Sequence, residues 1–277
     1  MRLPIILAGL GVAFAAGAAQ AATPHVEIKD AVARVTVIPE ARSDIKVEVL
    51  SANPRLPLQV RTRGADVIVD GDLARKIRSC NGSHGRVRVE VAGVGEVSYG
   101  DMPQIIIRTP READIEAGGA VFGVVGKSAS LELSNAGCGD WTVANVDGLL
   151  KLNQAGSGDT RVGRAGQANL RVAGSGDIST QEIAGPLHVD IAGSGDVTAA
   201  SLKGALDVKI AGSGDVHIPS GQAGAVTVSI AGSGGLEFGG TADSLKARIA
   251  GSGDVKVKAV KGEVSKAVVG SGAIKIG

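Results

Sequence analysis

Apolar and polar residues alternate along most of this chain, and in its second half the alternation is periodic. The phrase A-G-S-G-D, with close variants, recurs with its first glycine at 137, 156, 174, 193, 212, 232, 251 and 270. Four residues before that glycine stand Leu133, Leu152, Leu170, Val189, Val208, Val228 and Ala247, with Lys266 the one break. Two before it stand Asn135, Gln154, Val172, Ile191, Ile210, Ile230, Ile249 and Val268. Trp141, Thr160, Ile178, Val197, Val216, Leu236, Val255 and Ile274 follow at a spacing of four, and Val143, Val162, Thr180, Ala199, Ile218, Phe238, Val257 and Ile276 at a spacing of six. Polar residues such as Arg171, Asp190, Lys209, Arg161 and Lys256 fall between them. A period of two describes a strand with one buried face. Each repeat is therefore a strand, a G-S-G turn, a second strand and a return segment.

A flexible Gly/Ser linker has no reason to keep such a period. A single rung cannot stand alone, because about six inward side chains at roughly 1.5–3 kcal/mol each oppose a backbone entropy of about 1–2 kcal/mol per residue. Stacking at about 4.8 Å supplies the missing hydrogen bonds and completes the apolar columns. The predicted fold is all-β: a single-stranded-type, right-handed parallel β-helix with about 19 residues per rung, the hand following from the crossover rule.

The regular repeats are expected over 118–277, with Phe122 and Val124 falling into the inward columns relative to Gly118. Residues 22–117 are rich in strands but irregular, and are expected to form starting rungs or a β cap that hides the first core layer. Residues 1–21 have a positive start at Arg2, an apolar run from Leu3 to Gly17 and an A-x-A site at Ala19-Gln20-Ala21. These are the marks of a secretory signal peptide, and the run is short for a membrane span. The mature chain then has no integral membrane segment and is exported, to the periplasm or the cell surface and beyond.

Without Arg2 the basic and acidic residues balance at 28 each, which excludes a globally basic nucleic-acid binder. Five aromatic residues are too few for an open sugar-stacking cleft. His25, His84, His188 and His217 fall in different columns, so no metal-ligand pair is expected. G-S-G is a turn and not a nucleophile elbow, and the G-x-G pairs lack the third glycine and helix of a phosphate site. Neither catalytic residues nor a cofactor are expected.

An exported chain with an N-terminal strand series, including Leu58-Gln59-Val60 and Val67-Ile68-Val69, followed by tandem A-G-S-G-D rungs resembles the auto-transporter adhesin head GIN domain family. The resemblance covers the mature chain and implies a β-helical exported domain with an adhesin role. One departure from an auto-transporter is that no translocator barrel follows Ile276-Gly277, so self-transport through an outer membrane is not expected.

Three features could carry chemistry. Asp140, Asp159, Asp177, Asp196, Asp215 and Asp254 align in one column. In register, their like charges repel by about 1 kcal/mol in water, so each is expected to accept its own turn's backbone N–H; a calcium ladder is the weaker reading, since the calcium β-roll uses nine-residue units. Cys80 and Cys138 are the two cysteines of an exported chain, and an intramolecular disulfide is expected. Arg75, Lys76, Arg78, Arg86 and Arg88 with His84 form the basic cluster of the sequence, read as a solvated loop and charge-protected edge.

Two functions follow. The first is a non-catalytic structural or interaction protein, adhesin-like, meeting an unknown protein or glycan surface. The alternative is a polysaccharide-binding or polysaccharide-processing β-helix of the cell envelope, acting through the irregular region. Head-to-tail self-association through Ile274-Lys275-Ile276 is a further expectation.

Overall fold

The A-G-S-G-D phrase is explained by how closely successive rungs approach at that corner. Gly212 has a φ of +148°, and a Cβ there would lie 2.1 Å from the carbonyl oxygen of Gly193 one rung earlier. A Cβ on Gly214 would lie 2.3 Å from the oxygen of Gly195. Both glycines are needed because backbone, not side chain, fills the corner. The serine between them points outward and is exposed.

The chain is seen in a computed structural model that describes residues 23–81 and 87–277. The expected signal peptide over 1–21, with His84 and Arg86, lies outside the described residues. The fold is a parallel β-solenoid of about nine turns, about 19 residues apart. In chain order the first strands are β1 (His25–Pro39), β2 (Lys46–Ser51), β3 (Gln59–Arg63), β4 (Asp66–Asp70), β5 (Ile77–Asn81), β6 (Arg88–Val91), β7 (Gly95–Ser98), β8 (Gln104–Thr109) and β9 (Glu112–Val125). The repeats continue from β10 (Ser130–Gly137) and β11 (Trp141–Val143) to Ala273–Ile276.

Repeat columns become ladders. Leu152 pairs with Leu170, Leu170 with Val189, Val189 with Val208 and Val208 with Val228, every pair parallel and in register. These residues are almost wholly buried, so each inward side chain contributes roughly 1.5–3 kcal/mol of transfer free energy. One continuous apolar cluster runs from Val26 to Val257.

The irregular region is not simply the first layer. Strand β1 lies inside the stack, parallel to β9 on one side and to β4 and β8 on the other. Residues 40–111 leave after β1 and return to build the layer beyond it. Strands β3 and β2 then pair antiparallel with β4 and β8 at the outer edge. Strands β5, β6 and β7 form a separate antiparallel sheet, the flap, lying against the outside of the stack.

One expected register is corrected. Gly137 pairs with Gly119, not Gly118, so Trp141 faces Gly123 and Val143 faces Val125. Phe122 and Val124 therefore point outward: Phe122 is buried beneath the flap, and Val124 is 50% exposed. Gly119, at φ +105°, sits at this corner opposite Ala31, and in β1 Asp30, at φ +49°, lies in the register shift between Ile28 and Ala31. Anchoring the rung on the adjacent Gly118 instead displaces the alignment by one residue, which exchanges the two faces of the strand.

Candidate interaction surface

The aspartate column is a chain of hydrogen bonds between rungs. The backbone N–H of Asp159 donates to Asp140 Oδ1 at 3.0 Å, and that of Asp177 to Asp159 Oδ1 at 3.1 Å. Asp196 and Asp215 repeat the contact at 2.8 Å, and Ala273 donates to Asp254 Oδ1 at the same distance. The expectation that each carboxylate serves its own turn is thus corrected at Asp140, Asp159, Asp177, Asp196 and Asp254, which serve the next rung's turn. The corner glycines bring that N–H within reach, and a charge-assisted bond at each step offsets the repulsion along the column. Among the described residues, no group of three His, Cys, Asp or Glu side chains gathers as a metal site would.

The flap has its own core. Leu73, Val87, Val89, Val91, Val97 and Met102 pack onto Val32, Ala120 and Phe122, which face outward from the stack. Tyr99 meets Phe122 edge-on at 5.9 Å, and the Arg34 guanidinium sits 5.3 Å from the other aromatic centroid, that of Tyr99. Arg34 also donates to the carbonyls of Gly100 and Met102. The seam between flap and stack leaves a shallow depression of about 170 Å³, with Tyr99, Phe122, Val124, Asp140, Thr142 and Arg161 on its walls. Sequence reasoning missed this seam; its signal was a phenylalanine at an outward position.

Cys80 on β5 and Cys138 in the first A-G-C-G-D turn come together with their Cα atoms 6.1 Å apart, a separation that suits a disulfide. Arg75 and Arg78 are exposed, Lys76 donates to the carbonyl of Asp72, and Arg88 pairs with Glu96 at 3.0 Å. His188 lies between Asp190 and Asp207, at 3.0 and 3.1 Å, while His25 meets Asp114 and His217 meets Glu237. The structure does not bring these histidines together.

Several carboxylates are held below the usual carboxylate range. Asp44 is lowered by the hydrogen bond from Arg42, Glu48 by that from Lys46, Asp70 by the backbone N–H of Asp72, and Glu237 by Lys256. Asp44 and Glu237 are exposed, so their pairs set surface charge more than stability, whereas Glu48 and Asp70 are half-buried.

A parallel stack of about nine turns with one flap-bearing insertion places the chain in the class of β-solenoids. The particular family is shown by sequence: the model described as "Putative auto-transporter adhesin, head GIN domain" matches residues 74–220 and 203–277, and the chain belongs to that family. No curated protein matches the chain. Among solved structures it is similar to a putative adhesin from Bacteroides fragilis, at 17% identity and TM-score 0.41, covering 93% of this chain and 94% of that one. It is also similar to a putative lipid binding protein from Parabacteroides distasonis, at 17% identity and TM-score 0.39, with 92% and 93% covered. A putative cell adhesion protein from Clostridium sporogenes follows at 11% identity and TM-score 0.24, with 92% of each chain covered.

Proposed function

We propose that this chain is an exported, non-catalytic, adhesin-like module that meets a protein or glycan surface through its flap and the adjoining seam. The observation that carries the reading is the insertion over 40–111. The rest of the solenoid keeps minimal rungs, whereas this segment adds a packed flap and a depression walled by Tyr99, Phe122, Val124 and Arg161. Binding residues tend to sit on irregular segments positioned by a rigid scaffold. Membership of an adhesin family supports the same reading.

The test is protease shaving of intact cells, with immunoblots of cells, periplasmic extract and medium. Loss of the cell-associated signal, with a periplasmic control protected, is the expected result. Full protection in the periplasm removes the adhesin reading. A glycan array run beside a reducing-sugar assay separates the alternative: turnover of any polysaccharide replaces display with processing.

A further inference from the structure

In a solenoid, position along the sequence becomes position along the axis, so charge segregated in sequence is charge segregated in space. Residues 112–240 carry 14 acidic and 7 basic residues, while 241–277 carry 3 acidic and 7 basic. The shaft is therefore acidic and the end formed by Asp254–Val260, Val264–Gly270 and Ala273–Ile276 is basic. Lys246, Arg248, Lys258 and Lys275 are exposed, and among the described residues none forms an ion pair. On the same end Val264, Val268, Val269 and Ile276 are 40%, 41%, 76% and 37% exposed.

We propose that this basic end is a docking surface for an anionic lipid bilayer, which it meets end-on. Three arguments select that occupant. Lysines around exposed apolar side chains suit a lipid interface, where the ammonium groups reach headgroups and the apolar groups enter the acyl boundary. The acidic shaft is repelled by the same surface, which holds the axis upright instead of flat. A second copy fits poorly. Lys266 occupies an inward column, paired with Ala247, and its Nζ donates to the carbonyl of Ile274 across the end of the core. Stacking another rung there would bury an ammonium group at high cost. The opposite end also exposes apolar residues, Val49, Leu50 and Val60, but its strands carry Lys46, Arg61 and Arg63 near Glu48, Asp66 and Asp70, without a net field.

This goes beyond the adhesin reading and stands apart from it: an upright solenoid would carry the flap, at the other end, away from the membrane. The test is sedimentation of the purified mature chain with vesicles of phosphatidylcholine alone or containing phosphatidylglycerol, at low salt and in 0.5 M NaCl. Binding is expected to the anionic vesicles and not the neutral ones, and to be lost at high salt. The triple variant Lys246→Glu, Lys258→Glu and Lys275→Glu should lower anionic-vesicle affinity by about a hundredfold or more, with its circular dichroism and melting unchanged. Val269→Asp should lower it several-fold. Equal binding to neutral vesicles, no binding to anionic ones, or an unaltered triple variant overturns the proposal. So does a concentration-dependent dimer in sedimentation equilibrium that the triple variant dissolves, since that would make the end a protein interface. Failure in the shaving experiment would leave the vesicle result untouched.

Discussion

The stack over 128–277 and the insertion over 40–111 are both built of short strands, but they are stabilised in different ways. In the stack every strand pairs in parallel with its neighbours, and the core is drawn from the same columns rung after rung. Its stability approximates a sum of nearest-neighbour terms, so one weak rung is supported by the next. The insertion mixes parallel and antiparallel pairs, adds β4 and β8 along one edge of β1, and owns a second small core. It has no repeat to fall back on. Periodic structure supplies the scaffold, and particular residues matter most where the period stops.

The largest test strikes the junction between the two. Trp141 is fully buried and its ring fills the space over Gly123, where a Cβ would lie 2.2 Å from the ring. Trp141→Ala should cost about 3–5 kcal/mol, read as an earlier denaturant transition by circular dichroism. If the loss is confined to residues 23–145 by hydrogen exchange, the nearest-neighbour picture holds. A uniform loss along all rungs would show that the solenoid unfolds as one unit.

Second in size is the link between Cys80 and Cys138. We expect mass mapping under non-reducing conditions to find the two in one peptide pair. Replacing both by serine should then cost about 2–4 kcal/mol, localised to β5–β7, while the rungs beyond 160 keep their protection. Two free thiols in the native protein would overturn the pairing, and faster exchange throughout the stack would overturn the flap's independence.

How far each region could be read from sequence follows the same division. The stack was legible because the A-G-S-G-D corner demands glycine twice per rung and the inward columns demand apolar residues between. The rung of β9 was misphased because Gly118 and Gly119 offer equal anchors in a string of letters, and only pairing with Gly137 decides between them. The return of β4 and β8 to the outer flank of β1 had no local signal, since it depends on contacts across tens of residues. The aspartate column was visible, but not its partners, because a linear repeat does not show which rung's N–H lies nearest. Likewise the basic end is spread over 246–275 and forms no run of charge until the solenoid gathers it.

The aspartate contacts give a third, smaller effect. Asp177 accepts from the N–H of Asp196 and donates its own N–H to Asp159. Asp177→Ala leaves one N–H without its acceptor and should cost about 1 kcal/mol, whereas Asp177→Asn keeps an acceptor, removes a like charge and should be nearly neutral. Thermal melts of both variants decide this. If asparagine costs as much as alanine, the carboxylate charge itself holds the rungs together. If calorimetry detects calcium binding that Asp177→Asn abolishes, the column is a cation site after all.

The smallest effect concerns acid. Asp44, Glu48 and Asp70 lie in the insertion and are held below the usual carboxylate range, by Arg42, by Lys46 and by the N–H of Asp72 respectively; Glu237, lowered by Lys256, is the counterpart in the stack. A carboxylate with a lowered folded pKa adds stability that is present above its unfolded pKa and disappears as the pH falls through the folded value. Asp44 and Glu237 are exposed, Glu48 and Asp70 are half-buried, and salt screens all four, so the shift is modest. Because three of these four groups sit in the insertion, acidification below the usual carboxylate range should loosen β2–β4 before the regular rungs. Hydrogen exchange across an acid titration at low salt, with the intrinsic pH dependence removed, should show protection falling first over 46–70. If the rungs beyond 160 lose protection first, acid acts chiefly on the aspartate column, and the insertion is the sturdier of the two regions under those conditions.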